Sequence, residues 1–256
     1  MIRAAFLAAL LLLQQAPPPA APEAPPPAAK VVAAVAKAAR ENAALPEKER
    51  LAGDALGDLY VRRAAAAAEG DAAAFLAGLA HAVDPKGTLA RNPLTAKAFA
   101  GLETDEEAKA RREALGKPSL RGRNDLHLHF AVSAALAALA GPGPAEAAGV
   151  AKEVADRRPG GTGFSFADLL ADLAGIRFAD WVKADPKARL ERLAKEFRGS
   201  DFCPDPSKEP EGLGEEAFAK EYGSTKDERF LAKMKALRDA VAALAVFEEK
   251  KEPAPK

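Results

Sequence analysis

The chain has 256 residues, enough for one large domain or two small ones, with 37 basic and 37 acidic side chains in balance. No basic block interrupts that balance, which argues against a nucleic-acid-binding surface and gives no nucleic acid as partner. The single cysteine, Cys203, excludes an internal disulfide framework and any cysteine-rich zinc site; in its proline-rich setting it reads as a small apolar filler.

Met1-Ile2-Arg3 is a short positive end followed by an apolar run from Ala4 to Leu13. Such a run is too short to cross a bilayer of ~30 Å as a helix but suits the hydrophobic region of a signal peptide, here residues 1–16. The expected location is therefore outside the cytoplasm, periplasmic or extracellular, with no transmembrane helix in the mature chain. Residues 17–29 are dominated by proline and alanine and predict a non-helical, semi-rigid linker.

From Lys30 the chain reads as helices to residue 248, with no two-residue alternation of a strand, so the expected fold is an all-α bundle of roughly eight to ten helices and no sheet. Val31, Val32 and Val35 stripe the first helix, which ends near Leu45. Pro46 to Ala68 predicts a second, carrying Leu51, Leu56, Leu59 and Tyr60. Asp71 caps the next, where His81 reads as a partly exposed or core-satisfied histidine and not a ligand. Asn92-Pro93 opens a short segment to Leu102, and Thr104 with Glu107 forms a capping-box pattern. The loop from Lys117 to Arg123 carries two arginines able to hold a carboxylate or phosphate.

After the central stretch, Asp185-Pro186 starts a helix whose stop is Gly199. Ser200 to Gly214 is a long proline- and glycine-containing loop, of a kind that belongs in a compact domain only if it packs over something. Ser224 or Thr225 is expected to cap the last helix, striped by Phe230, Leu231, Met234, Leu237, Val241, Leu244 and Val246. Residues 249–256 form a polar tail expected to be disordered.

The chemistry-bearing residues concentrate between Asp125 and Gly175. Asp125 sits at a helix start, four residues before His129, which places it to orient that imidazole. His127 points the other way. Ser133 extends the polar face of His129; Glu153 and Asp156 share the face of the next helix beside Lys152. Gly161 and Gly163 turn the chain after Pro159, and Pro144 is expected to begin the helix before it. Ser165 and Asp168 restart a helix in capping-box style, with Asp172 on the same face as Asp168. Like charges at that spacing repel by roughly 0.2–0.5 kcal/mol per pair, so their repetition calls for a compensating cation.

Two readings follow. In the first, these groups satisfy one another as a buried structural network. In the second, His129, Glu153, Asp156, Asp168 and Asp172 hold a divalent metal, the cofactor such a site would take; a metal-bound water would then attack an ester or phosphoester, with Glu153 as general base. A third class is an interaction protein that docks on an envelope protein or membrane surface through the 200–214 loop or an amphipathic face. Whether the chain is an enzyme stays open.

The run Asp125-Leu-His-Leu-His129-Phe130-Ala-Val-Ser133, then Lys152-Glu153-x-x-Asp156, then Gly161-x-Gly163-Phe164-Ser165-Phe166-x-Asp168 with Asp172 and Gly175, resembles the YfiM-like predicted periplasmic lipoproteins, themselves distantly similar to VanZ-like membrane proteins. The resemblance covers residues 125–178. It implies an envelope location and a helical fold, not an activity. It departs in two places: there is no lipobox cysteine, and Leu126 stands where a lysine often follows the first aspartate.

Overall fold

A computed structural model describes residues 27–91 and 95–248. The leader 1–16, the linker as far as residue 26, Asn92-Pro93 and the tail from residue 249 lie outside the described residues. What is described is all-α: thirteen helices, two 3₁₀ turns and, among the described residues, three isolated bridges in place of any sheet. No helix among them is long and apolar enough to cross a membrane.

The linker ends earlier than its composition suggests. Helix α1 runs Pro27–Ala44 and buries Ala28, Val31, Val32 and Val35. Pro27 is its first residue, where a missing N–H costs the helix nothing. The second helix is shorter than its pattern: a 3₁₀ turn at Glu47–Glu49 precedes α2, Gly53–Ala67. The interruption has a cause, because the Asn42 side chain accepts from the Leu51 N–H at 2.8 Å and donates to the Leu51 carbonyl at 3.0 Å. That clamp satisfies the Leu51 backbone outside a helix and leaves its side chain exposed.

Helix α3, Ala72–Val83, is capped by Asp71 as expected. Two single-turn helices follow, α4 (Thr88–Arg91) and α5 (Ala96–Phe99). In α6, Asp105–Ala114, Thr104 and Glu107 satisfy each other's orphan amides as a full capping box.

The centre is built by α7 (Asn124–Ala140), α8 (Pro142–Asp156) and α9 (Phe166–Ala184). Helix α8 starts at Pro142, two residues before the expected Pro144. Helix α9 is buried almost all round, with Asp168 and Asp172 among its enclosed residues, as befits a helix at the middle of a core. It crosses α7 at backbone contact distance: a Cβ on Gly175 would lie 2.1 Å from the Phe130 carbonyl oxygen. One contiguous apolar core runs from Ala28 to Phe247.

Helix α10, Pro186–Glu196, ends at Phe197, before Gly199. Gly199 instead opens α11, Gly199–Phe202, with its N–H donated to Asp58 at 2.8 Å. Helices α12 (Glu215–Tyr222) and α13 (Glu228–Ala242) close the fold. The cap of α13 is Asp227, not Ser224 or Thr225; Ser224 accepts from Lys226 within the preceding turn. Leu244 and Val246 fall beyond α13, because the chain turns to bury Phe247 against Phe202, 5.8 Å between centroids.

The loop from Cys203 to Gly214 is a strap over the start of α9. Phe164 and Leu213 exchange backbone hydrogen bonds of 2.9 and 3.1 Å, and Phe166 donates to the Pro210 carbonyl at 2.9 Å. At Gly163, φ is +86° and a Cβ would meet Gly212 at 2.3 Å, so only glycine lets the strap approach.

Candidate functional site

Helices α7, α8 and α9 bring five predicted residues together as an alternating chain of charge. Asp156 Oδ2 lies 3.0 Å from Lys152 Nζ; Lys152 lies 3.5 Å from Asp168 Oδ2; Asp168 Oδ2 lies 3.1 Å from His129 Nε2; His129 Nδ1 lies 3.0 Å from Asp172 Oδ1. Ser133 Oγ donates to Asp172 Oδ1 at 2.6 Å and ends the chain. Glu153 joins from the side, 2.5 Å from Lys152, and accepts the Ser165 N–H at 2.9 Å.

That last bond modifies the expected capping box. Ser165 caps α9 by accepting from the Asp168 N–H, and its hydroxyl donates to Asp168 Oδ1, both at 3.0 Å. The third partner of Ser165 is Glu153, not Asp168, so the α9 cap is tied to α8.

Asp125 does not orient His129. Its side chain is exposed and paired with Arg123 at 2.6 and 3.1 Å, and a full guanidinium charge next door outcompetes an imidazole one turn away. Arg123 also reaches Asp168 at 3.3 Å and the strap residue Glu211 at 2.6 Å. The second loop arginine, Arg121, donates instead to the carbonyls of Ser200 and Cys203. His127 faces away from the network, toward Gly57 on α2, as its position predicts.

Burial disfavours charge on His129, but Asp172 and Asp168 outweigh it and push the imidazole up to about 10, so both ring nitrogens carry protons at neutral pH. Burial likewise works against Asp168, and the His129 hydrogen bond and charge outweigh it, holding the carboxyl well below its usual range. Lys152 is held above the ordinary ammonium range: its burial is overcome by Glu153, Asp168 and Asp156. Glu153 is pushed up to about 7 by burial, with Lys152 only partly offsetting it. The two partners of this pair pull in opposite senses; the charge on Lys152 is the firmer assignment, since three carboxylates surround it and one ammonium serves Glu153. His127, fully enclosed, is pushed down to about 4 by burial and stays neutral.

Ligand atoms of His129, Glu153 and Asp168 lie within 4.8 Å of one another, the separation of a metal-ligand set. Two features fill that role without a metal. The Lys152 ammonium stands among the carboxylates, and His129 donates from both nitrogens, leaving no lone pair. A metal would have to displace one and deprotonate the other.

Over the network lies a cleft of about 450 Å³. Its floor includes His129, Ser133, Lys152, Asp156, Asp168 and Asp172, and its apolar side is formed by Val83, Leu89, Leu115, Leu128, Val132 and Leu136. Thr162, Gly163, Glu211 and Gly212 bring the strap to its edge. The sequence pattern points to the floor but not to the wall, which comes from α3, α4, the loop before α7 and α7 itself. Glu211 carries no local signal, and Arg123 shows only as one of two loop arginines.

No family model, curated protein or solved structure matches the chain.

Proposed function

We propose that this protein is an exported helical binding protein of the cell envelope, in which the ion network is structural and holds the floor of a small-molecule cleft in one shape. The observation that carries this reading is the pairing of an apolar-walled cleft with a floor whose cations are already engaged by carboxylates. Concave, largely apolar cavities with a few fixed polar groups are the usual form of a ligand site. Export rests on the leader-like first residues and on the resemblance to the YfiM-like proteins over residues 125–178. Thermal unfolding of the full chain against a panel of alkyl amines, carboxylates and alcohols tests the binding reading. At least one class should raise Tm in the wild type and fail to do so in Leu136→Trp, which fills the cleft. No shift from any class would contradict it.

The second reading is a divalent-metal site, with hydrolysis by a metal-activated water and Glu153 as base, and the 4.8 Å grouping of His129, Glu153 and Asp168 favours it. Metal content of the purified protein, beside Lys152→Met, separates the two. The metal reading requires stoichiometric zinc or manganese and tighter binding once the competing ammonium is gone. The structural reading expects neither.

A further inference from the structure

Past the cleft floor, the C-terminal half of α9 turns from carboxylates to arginines. Trp181, Phe202 and Phe247 form a buried aromatic cluster, with successive ring centroids 5.2 and 5.8 Å apart. Three guanidiniums lie over its rings. Arg189 and Arg192 stand 4.3 and 5.8 Å from the Trp181 centroid, and Arg177 stands 5.3 Å from that of Phe247. Arg177 precedes Trp181 by four residues, so the two share a face of α9, and α10 brings Arg189 and Arg192 to the same indole. None of these residues lines the cleft.

Stacking on a ring fixes the plane of a guanidinium and leaves its N–H edge for an anion. The nearby acids are engaged elsewhere or shared: Asp180 pairs with Lys183 at 3.4 Å, Asp185 caps α10, and Glu196 takes Arg192 at 2.9 Å. Arg177 and Arg189 make no ion pair among the described residues. Residues 177–198 hold seven basic and four acidic side chains, a surplus of three positive charges in a chain whose totals are equal. The surplus is local.

A single small anion needs donors that converge on one cavity. Here Arg177 and Arg192 are exposed and Arg189 is half-buried, and they stand over two different rings. Donors spread over an outward face match anions spread over a surface.

We propose that this face, centred on Trp181, docks on an anionic phospholipid bilayer, with Arg177, Arg189 and Arg192 donating to lipid phosphates. Each basic residue near such a surface adds an attraction that salt screens, so the contact is peripheral and salt-dependent. It requires no buried side chain to leave the core, and it does not depend on the cleft or its ligand.

Trp181 is the sole tryptophan, so energy transfer from it to a dansyl-labelled lipid reads binding of the full chain to vesicles. Binding should be at least tenfold tighter to phosphatidylcholine vesicles containing phosphatidylglycerol than to phosphatidylcholine alone, and should be lost at molar salt. Arg177→Gln, Arg189→Gln and Arg192→Gln together should weaken it at least tenfold. Arg40→Gln, Lys109→Gln and Arg112→Gln remove the same charge from α1 and α6 and should change it less than threefold. If the first triple variant does not unfold cooperatively, Arg177→Glu, on an exposed side chain, takes its place. Glycerol 3-phosphate at millimolar concentration should leave the protein on the vesicles; displacement would make this a site for a soluble phosphate and overturn docking. Equal binding to both vesicle types, equal loss in the two triple variants, or no binding would overturn it as well.

Discussion

Two buried charge clusters in this fold share one set of residue types and differ in how completely they close. In the first, Arg111, 1% exposed, forms two hydrogen bonds with Glu103, which also meets His81 at 2.7 Å; the third guanidinium nitrogen donates to the Ala82 carbonyl. Burial works against the Glu103 charge, but the bonds from Arg111 and His81 outweigh it and hold that carboxyl at about 2. One carboxylate is covered by two partners, and none of the three residues lines the cleft. The second cluster, from Asp156 to Asp172, has more carboxylates than cations, leaves an oxygen of Asp172 unpartnered and floors the cleft. A closed cluster staples helices; an open one is a place where something can bind. Histidine, acid and base in a sequence do not distinguish the two, because the distinction lies in the count of unspent donors and acceptors.

The sharpest way to break that comparison is to remove one cation from each cluster. Lys152→Met strands three buried carboxylates and should cost about 3–5 kcal/mol in urea unfolding, as breaking buried pairs generally does. Arg111→Met strands Glu103 and should cost a similar amount. Replacing the whole closed cluster, with His81→Leu, Glu103→Leu and Arg111→Met together, should cost far less than Arg111→Met alone, because no charge is left unpaired. A triple variant as damaged as the single one would show that Glu103 matters beyond its charge.

Backbone contact between α7 and α9 sets the frame on which the open cluster is built. Gly175→Ala drives a Cβ to 2.1 Å from the Phe130 carbonyl and should destabilise by about 1–3 kcal/mol, the usual range for overpacking, read as a fall in urea midpoint with unchanged slope.

The two histidines of α7 predict opposite responses to pH. His129 has a folded value of about 10 against an ordinary 6.5, so its contribution is fully present below about 6.5 and is lost as pH rises through 10. His127 has a folded value of about 4, so its contribution is present above 6.5 and lost as pH falls through 4. Unfolding free energy of wild type, His129→Gln and His127→Gln from pH 4 to 10 checks both slopes. Each variant should flatten one side of the profile, and the same side flattening in both would contradict the assignment.

The smallest effect is expected at the strap. Glu211→Gln removes a partly exposed ion pair with Arg123 and should change stability by at most about 1 kcal/mol, while raising hydrogen exchange at Phe164 and Leu213.

Much of this architecture was legible in the residues, and the exceptions are informative. Helical periodicity and the caps at Asp71, Thr104 and Asp185 are local signals, and they place their helices correctly. Three of the misplaced boundaries have causes outside the segment itself: Asn42 reaching Leu51, Asp58 holding Gly199, and Phe247 turning back onto Phe202. The starts of α1 at Pro27 and α8 at Pro142 and the α13 cap at Asp227 are instead choices among neighbouring prolines or capping residues. The cluster itself showed through because repelling carboxylates one turn apart on successive helices require a shared cation. Which cation supplies it could not be read, since Lys152 and His129 meet Asp168 only once α7, α8 and α9 are packed. The Glu103–Arg111 cluster went unread because eight residues and a helix cap separate its members, and His81 shows only as a lone histidine on an apolar face.

The central claim is that the open cluster is held by its own cations, Lys152 and His129, with no metal, and leaves the cleft for a ligand. The charge state of His129 tests it most directly, by nitrogen-15 NMR of the full chain at pH 8 before and after addition of a chelator. Both ring nitrogens should be protonated, with no change on chelation. A neutral imidazole with one lone-pair nitrogen, or a signal that moves when metal is withdrawn, would contradict the account and make His129 a ligand.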